Sequence, residues 1–172
     1  RLYQSSMDAV TRGTSDGLNI YLNILAILIV LIAFVALLNG VVGTLPDVAG
    51  APLTLERIAG WIFAPIAWLM GIPWAEAQTT GSLLGIKSIL NEFIAFLQLA
   101  DMPAGALSEH SRSITIYAIA GFANLSSIGI QISGIGAMAP ERRNDLANLG
   151  FRALVAATLA ACMNGAIVGI VA

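Results

Sequence analysis

Charge is the scarcest ingredient of this chain. Only 10% of its 172 residues are Asp, Glu, Lys or Arg, while 58% are hydrophobic, against roughly a quarter charged in soluble domains. So little charge cannot cover a water-facing surface, which points to an integral membrane protein or a piece of one. Basic clusters are missing too. Apart from Glu141-Arg142-Arg143 there is no run of cations, and the formal net charge is −2, so nothing tracks a phosphate backbone and nucleic acid is excluded as a partner. The single cysteine, Cys162, excludes an intrachain disulfide, and the apolar run around it assigns it to packing. His110 is the one histidine and has no Cys, His or carboxylate cluster at ligand spacing, so no metal site is expected. The chain opens at Arg1 without a Met and without the basic, apolar, small-residue order of a signal peptide. The expectation is therefore the later part of a longer polypeptide.

What is present is long apolar segments separated by turn signals. Residues 1–17 are polar and end in Gly13 and Gly17, which predicts the end of a helix and a short loop. Residues 18–42 carry no charge and exceed the roughly 20 residues needed to cross hydrocarbon, so they form a transmembrane helix apolar on every face. Pro46, Gly50 and Pro52 make a loop. Thr54 offers an N-cap for residues 54–70, where Trp61 and Trp68 favour the headgroup level and Pro65 interrupts the run, so an interfacial amphipathic helix is expected there. A short, kinked core helix is the alternative.

Two segments carry polar residues where hydrocarbon should be. Residues 74–101 have Asn91 and Glu92 between apolar stretches each too short to span. A carboxylate there costs roughly 2.5–3.5 kcal/mol on insertion scales unless it has a partner or a cavity. Two short helices meeting at that polar tip predict a re-entrant hairpin. The alternatives are one continuous helix with a buried Glu, or a Glu on a wet interfacial face paired with Lys87. Residues 112–138 contain IAGFANLSSIGIQISGIG, where Asn124, Ser126, Ser127 and nearby glycines permit an unwound, discontinuous helix. Close packing of small residues between helices is the bland reading. The functional reading sets Glu92 opposite Asn124 and Ser127, which lie three apart and face one way, around a polyhydroxylated ligand. Residues 140–172 form the last transmembrane helix, with Pro140 near its first turn. The architecture expected is an all-α integral membrane protein. With Arg1, Arg12, Arg142, Arg143 and Arg152 on the inner side and Arg57, Lys87 and Arg112 toward the outer, the C-terminus falls outside.

These motifs, GTSDGLN, APLTLERIAGWIFAPIAWLMGIPW, GSLLGIKSILNEFIAF, GFANLSSIGI and ISGIGAMAPERRNDLANLGFRAL, resemble those of the concentrative nucleoside transporters over nearly the whole chain. The resemblance implies one half of an inverted-repeat transporter in the inner membrane, a likeness to bacterial members and a homotrimer built on scaffold helices. It also implies a nucleoside such as uridine as substrate, with Glu92, Asn124 and Ser127 binding the ribose hydroxyls and Phe122 beside the sugar. In the family the nucleobase contacts and the Na+ site come from a GQTE-type hairpin. That motif does not occur here, so the coupling ion, Na+ or H+, is expected at a site outside this chain, in the N-terminal half. No enzyme activity is expected, since Glu92 has no nucleophile, His base or metal set beside it. The rival reading is a structural membrane subunit with no ligand site of its own.

Overall fold

The computed structural model describes residues 5–48 and 50–171, and the side chains of 27, 31, 133 and 137 are left aside. Arg1 lies outside the described residues. The architecture is all-helical: α1 (Ser6–Val42), α2 (Leu55–Leu69), α3 (Trp74–Ile89), α4 (Glu92–Asp101), α5 (Glu109–Ile119), α6 (Leu125–Met138), a 3-10 turn (Pro140–Arg142) and α7 (Arg143–Val171).

The loop expected at Gly13 and Gly17 is not there. Ser5 caps Asp8 N–H and α1 runs unbroken through both glycines for 37 residues, about 55 Å at 1.5 Å per residue. The Arg12–Asp8 ion pair at i, i+4 and the exposed Thr11 and Thr14 hydroxyls bonded one turn back make this polar first stretch a continuous part of the helix. Ile29, Val30, Phe34 and Leu37 are exposed along α1. Such a stripe calls for lipid or protein to cover it. α1 and the stretch Pro140–Val171 are the two helices, among the described residues, long and apolar enough to cross a membrane.

α2 and α3 pack tightly because small residues face each other. A Cβ on Gly60 would lie 2.5 Å from Ser82 Oγ, and one on Gly81 would lie 2.5 Å from the Gly60 carbonyl oxygen. This is the small-residue interface that lets two helix backbones meet. Pro65 does not interrupt the segment as expected; it sits inside α2. Around it, Ala64 and Ala67 are buried against α3, and this packing offsets the backbone bond that Pro cannot donate. Trp61 and Trp68 are exposed, and Trp68 meets Trp74 edge-on at 6.5 Å.

Two polar joints hold the remaining elements. Asn39 near the end of α1 donates to both Glu56 carboxylate oxygens (3.1 and 3.0 Å) and accepts the Leu55 N–H (2.8 Å), so one side chain caps α2 and ties it to α1. α3 meets α5 through the buried Thr80–Thr115 hydroxyl pair (2.9 Å) and through Glu76, which accepts from the Ser108 N–H and hydroxyl. Ser108 also caps Ser111, so α5 begins at Glu109, a few residues before the expected Arg112. The apolar core gathers Leu83, Leu84, Ile86, Ala95, Leu99, Ile114 and Ile119 from α3, α4 and α5. Cys162 is buried in it, as its sequence context indicated.

Candidate functional site

Two interruptions in the helical chain define the site. The first lies between α3 and α4. Leu90 leaves helical geometry (φ −95°, ψ −91°), and Asn91 restarts the helix by accepting the Ile94 N–H through its side chain at 2.9 Å. Glu92 is therefore the first residue of α4, where the free N–H groups and the macrodipole favour a carboxylate. The second interruption is the non-helical stretch 120–124 between α5 and α6. Asn124 is its last residue and the N-cap of α6. Its Oδ1 accepts the Ser127 N–H (2.8 Å), while the Ser127 hydroxyl bonds the Asn124 backbone in return, a reciprocal capping box.

The two interruptions touch. Asn124 Nδ2 donates to Glu92 Oε2 at 3.0 Å, across 32 residues of sequence. Ser126 Oγ donates to Asn124 Oδ1 at 2.6 Å, so that oxygen takes two bonds and the amide orientation is fixed. Asn124 is fully buried, and Ser126 and Ser127 are nearly so. Glu92 is partly exposed and makes this one hydrogen bond among the described residues. The cluster thus presents a partly exposed carboxylate backed by a buried amide and hydroxyl set.

Of the residues expected from sequence, Glu92, Asn124 and Ser127 come together. Phe122 is 52% exposed. It lines, with Ala123, Ser127 and Gln131, a cavity of about 320 Å³ whose other wall is Leu146, Leu149, Gly150 and Ala153 of α7. Glu92 and Asn124 lie outside that lining. Gln131, one helical turn beyond Ser127 on the same face, escaped sequence reasoning. The i, i+4 spacing from Ser127 was the available signal. Lys87 also differs from expectation. It is fully buried and its Nζ has no hydrogen-bond partner among the described residues, so it neither pairs on a wet face with Glu92 nor counts as a loop cation in the charge bias.

Bilayer-length helices beside interrupted helices that enclose polar side chains are the architecture of a membrane transport protein. The chain belongs to the family described as "Na+ dependent nucleoside transporter C-terminus", whose model matches residues 1–169. It is a transporter family and not an enzyme family. The chain is 43% identical to the Bacillus subtilis protein called "Uncharacterized transporter YutK", over 95% of this chain and 40% of that protein. It is 36% identical to the Helicobacter pylori "Nucleoside permease NupC" (96% and 41%) and 33% identical to the mouse "Sodium/nucleoside cotransporter 1" (97% and 28%). Among solved structures, CNTnw in an inward-facing substrate-bound state superimposes with a TM-score of 0.79 at 39% identity, covering 97% of this chain and 41% of that one. A CNTnw variant in the intermediate 2 state superimposes at 0.87, with 38% identity over 98% and 43%. The chain thus spans about two fifths of the length of its Bacillus subtilis, Haemophilus influenzae and Helicobacter pylori relatives.

Proposed function

We propose that this chain is the ribose-binding part of a cation-coupled nucleoside transporter that works by alternating access. The observation that carries the reading is the Glu92–Asn124 hydrogen bond between two helix interruptions. A carboxylate at such a junction accepts hydrogen bonds from two neighbouring sugar hydroxyls, and Asn124 and Ser127 supply the amide and hydroxyl beside it. Substrate binding exchanges the internal Glu92–Asn124 bond for bonds to the ribose, so the empty site keeps its polar groups satisfied. Phe122 packs against the sugar face once the N-terminal half closes over its exposed ring.

In this reading α3 and α4 form a re-entrant hairpin and α5 and α6 one discontinuous membrane helix, because non-helical backbone at bilayer depth is tolerated only where it lines a site. α2 lies in the interface. α1 is the scaffold of a homotrimer, its exposed apolar stripe covered by lipid and neighbouring subunits. The protein sits in the inner membrane with its C-terminus on the periplasmic side. The coupling ion, Na+ or H+, binds in the N-terminal half. Uridine uptake into proteoliposomes tests the reading: Glu92→Gln abolishes concentrative uptake while the protein remains folded, and normal uptake by that variant defeats it.

A further inference from the structure

Beneath the Glu92–Asn124 junction lies a charge that the reading above does not use. Lys87 occupies the last turn of α3 and is the largest fully buried side chain among the described residues. Its Nζ has no hydrogen-bond partner among the described residues. It lies beside the α5–α6 interruption, where a Cβ on Gly121 would come within 3.9 Å of it. A buried ammonium without hydrogen bonds is strongly unfavourable unless opposite charge surrounds it. Here opposite charge offsets only part of that cost. Lys87 sits at the carboxyl end of its own helix and beside the carboxyl end of α5, which closes at Ala120. Both helix ends carry negative partial charge. The neutral Cys162 thiol of α7 and the Glu92 carboxylate of α4 lie in its surroundings, and of the two only Glu92 carries opposite charge. Of the other titratable groups on the packed elements, Glu56 of α2 borders Ile86, Ile89 and Leu90 but is held by Asn39, Tyr117 of α5 is exposed, and α6 has none.

We propose that Lys87 is a positioning residue for substrate: its buried charge holds the Glu92 carboxylate and the two helix interruptions in binding geometry. This rests on Glu92 being a substrate ligand. The opposed helix ends supply the pattern. The cation lies at two carboxyl ends and the carboxylate at an amino end, so the Lys87–Glu92 attraction draws α3, α4 and the 120–124 stretch together at the point where none of them is held by helical bonds. The charge is retained for binding at a cost in stability.

That opposition sets the test, made in the full-length transporter with uridine. Lys87→Met keeps the apolar stem and removes the unpartnered ammonium. The expected result is an unfolding temperature of the ligand-free protein equal to or above that of the parent, with KM for uridine raised by roughly tenfold or more. Lys87→Arg keeps the charge and should retain more affinity than Lys87→Met. Unchanged KM in Lys87→Met overturns the proposal, as does a fall in both unfolding temperature and affinity, which marks a packing role. Equal losses in the Met and Arg variants also overturn it. Glu92→Gln separates the two readings: if it binds uridine normally, the substrate assignment itself fails; if it does not and Lys87→Met is silent, only the role of Lys87 fails.

Discussion

Asn124 and Glu92 each stand at the start of a helix, and the 3.0 Å bond from Asn124 Nδ2 to Glu92 Oε2 joins those two starts. One amide thereby caps α6 with its oxygen and anchors α4 with its nitrogen. In the proposed reading stability and binding share this side chain, so substitutions here divide the two roles.

Replacing Glu92 with Gln keeps the shape and removes the charged acceptor. Hydrogen bonds to charged groups contribute about 1.5–3 kcal/mol each. The loss of one such bond to a sugar hydroxyl corresponds to a roughly 10- to 150-fold weaker uridine affinity. A thermal-shift titration checks this: uridine raises the unfolding temperature of the parent protein by mass action, and the variant needs correspondingly more uridine for the same rise. No shift in either protein supports a membrane subunit without a ligand site of its own, and an equal shift in both means that Glu92 is not a substrate ligand.

Asn124→Ser and Asn124→Ala separate the cap from the contact. Serine still caps Ser127 N–H, so it should hold about 1 kcal/mol of helix stability that alanine forfeits. Neither reaches Glu92, and both should lose uridine binding. Matching unfolding temperatures for the two variants would contradict the capping geometry.

Gly81 and Gly13 are expected to respond to alanine with opposite signs. At Gly81 the new methyl meets the Gly60 carbonyl oxygen and the Ala64 backbone nitrogen at 2.5 and 2.8 Å. The α2–α3 pair must separate, at about 1–3 kcal/mol. At Gly13 nothing lies within 4 Å, and the better helix former should stabilise α1 by up to about 1 kcal/mol. Unfolding in detergent measures both, and a destabilised Gly13→Ala would reveal a neighbour packed on that face.

Asn39→Ala strands the Glu56 carboxylate and the Leu55 N–H together. Both groups are partly buried, so losing their partner costs at most about 1–3 kcal/mol each; the variant should unfold earlier than any exposed α1 substitution, and Asn39→Asp earlier still because it faces Glu56 with like charge. Unfolding curves that rank Asn39→Asp as the most stable of the three proteins would remove the joint between α1 and α2.

Composition and periodicity determined the membrane class, because 10% charge and an uncharged run over 18–42 leave no aqueous alternative. They also marked both interruptions, since Asn91-Glu92 and Asn124 through Ser127 are polar groups that hydrocarbon will not accept without partners. Local signals misled where a neighbour outweighed them: Gly13 and Gly17 stay helical within a long flanked helix, and the exposed Pro65 is carried through α2 by the packing of Gly60 and Ala64 on α3. The facing of Glu92 and Asn124 was legible in sequence as one reading among alternatives, and which pairs meet across space was decided by tertiary structure. The contact of Glu92 with Asn124, the clasp of Asn39 on Glu56 and the burial of Lys87 beside Gly121 join residues that chain order keeps far apart. Short-range preferences act over a few residues, whereas which helix ends meet is chosen by how the apolar faces close into one core.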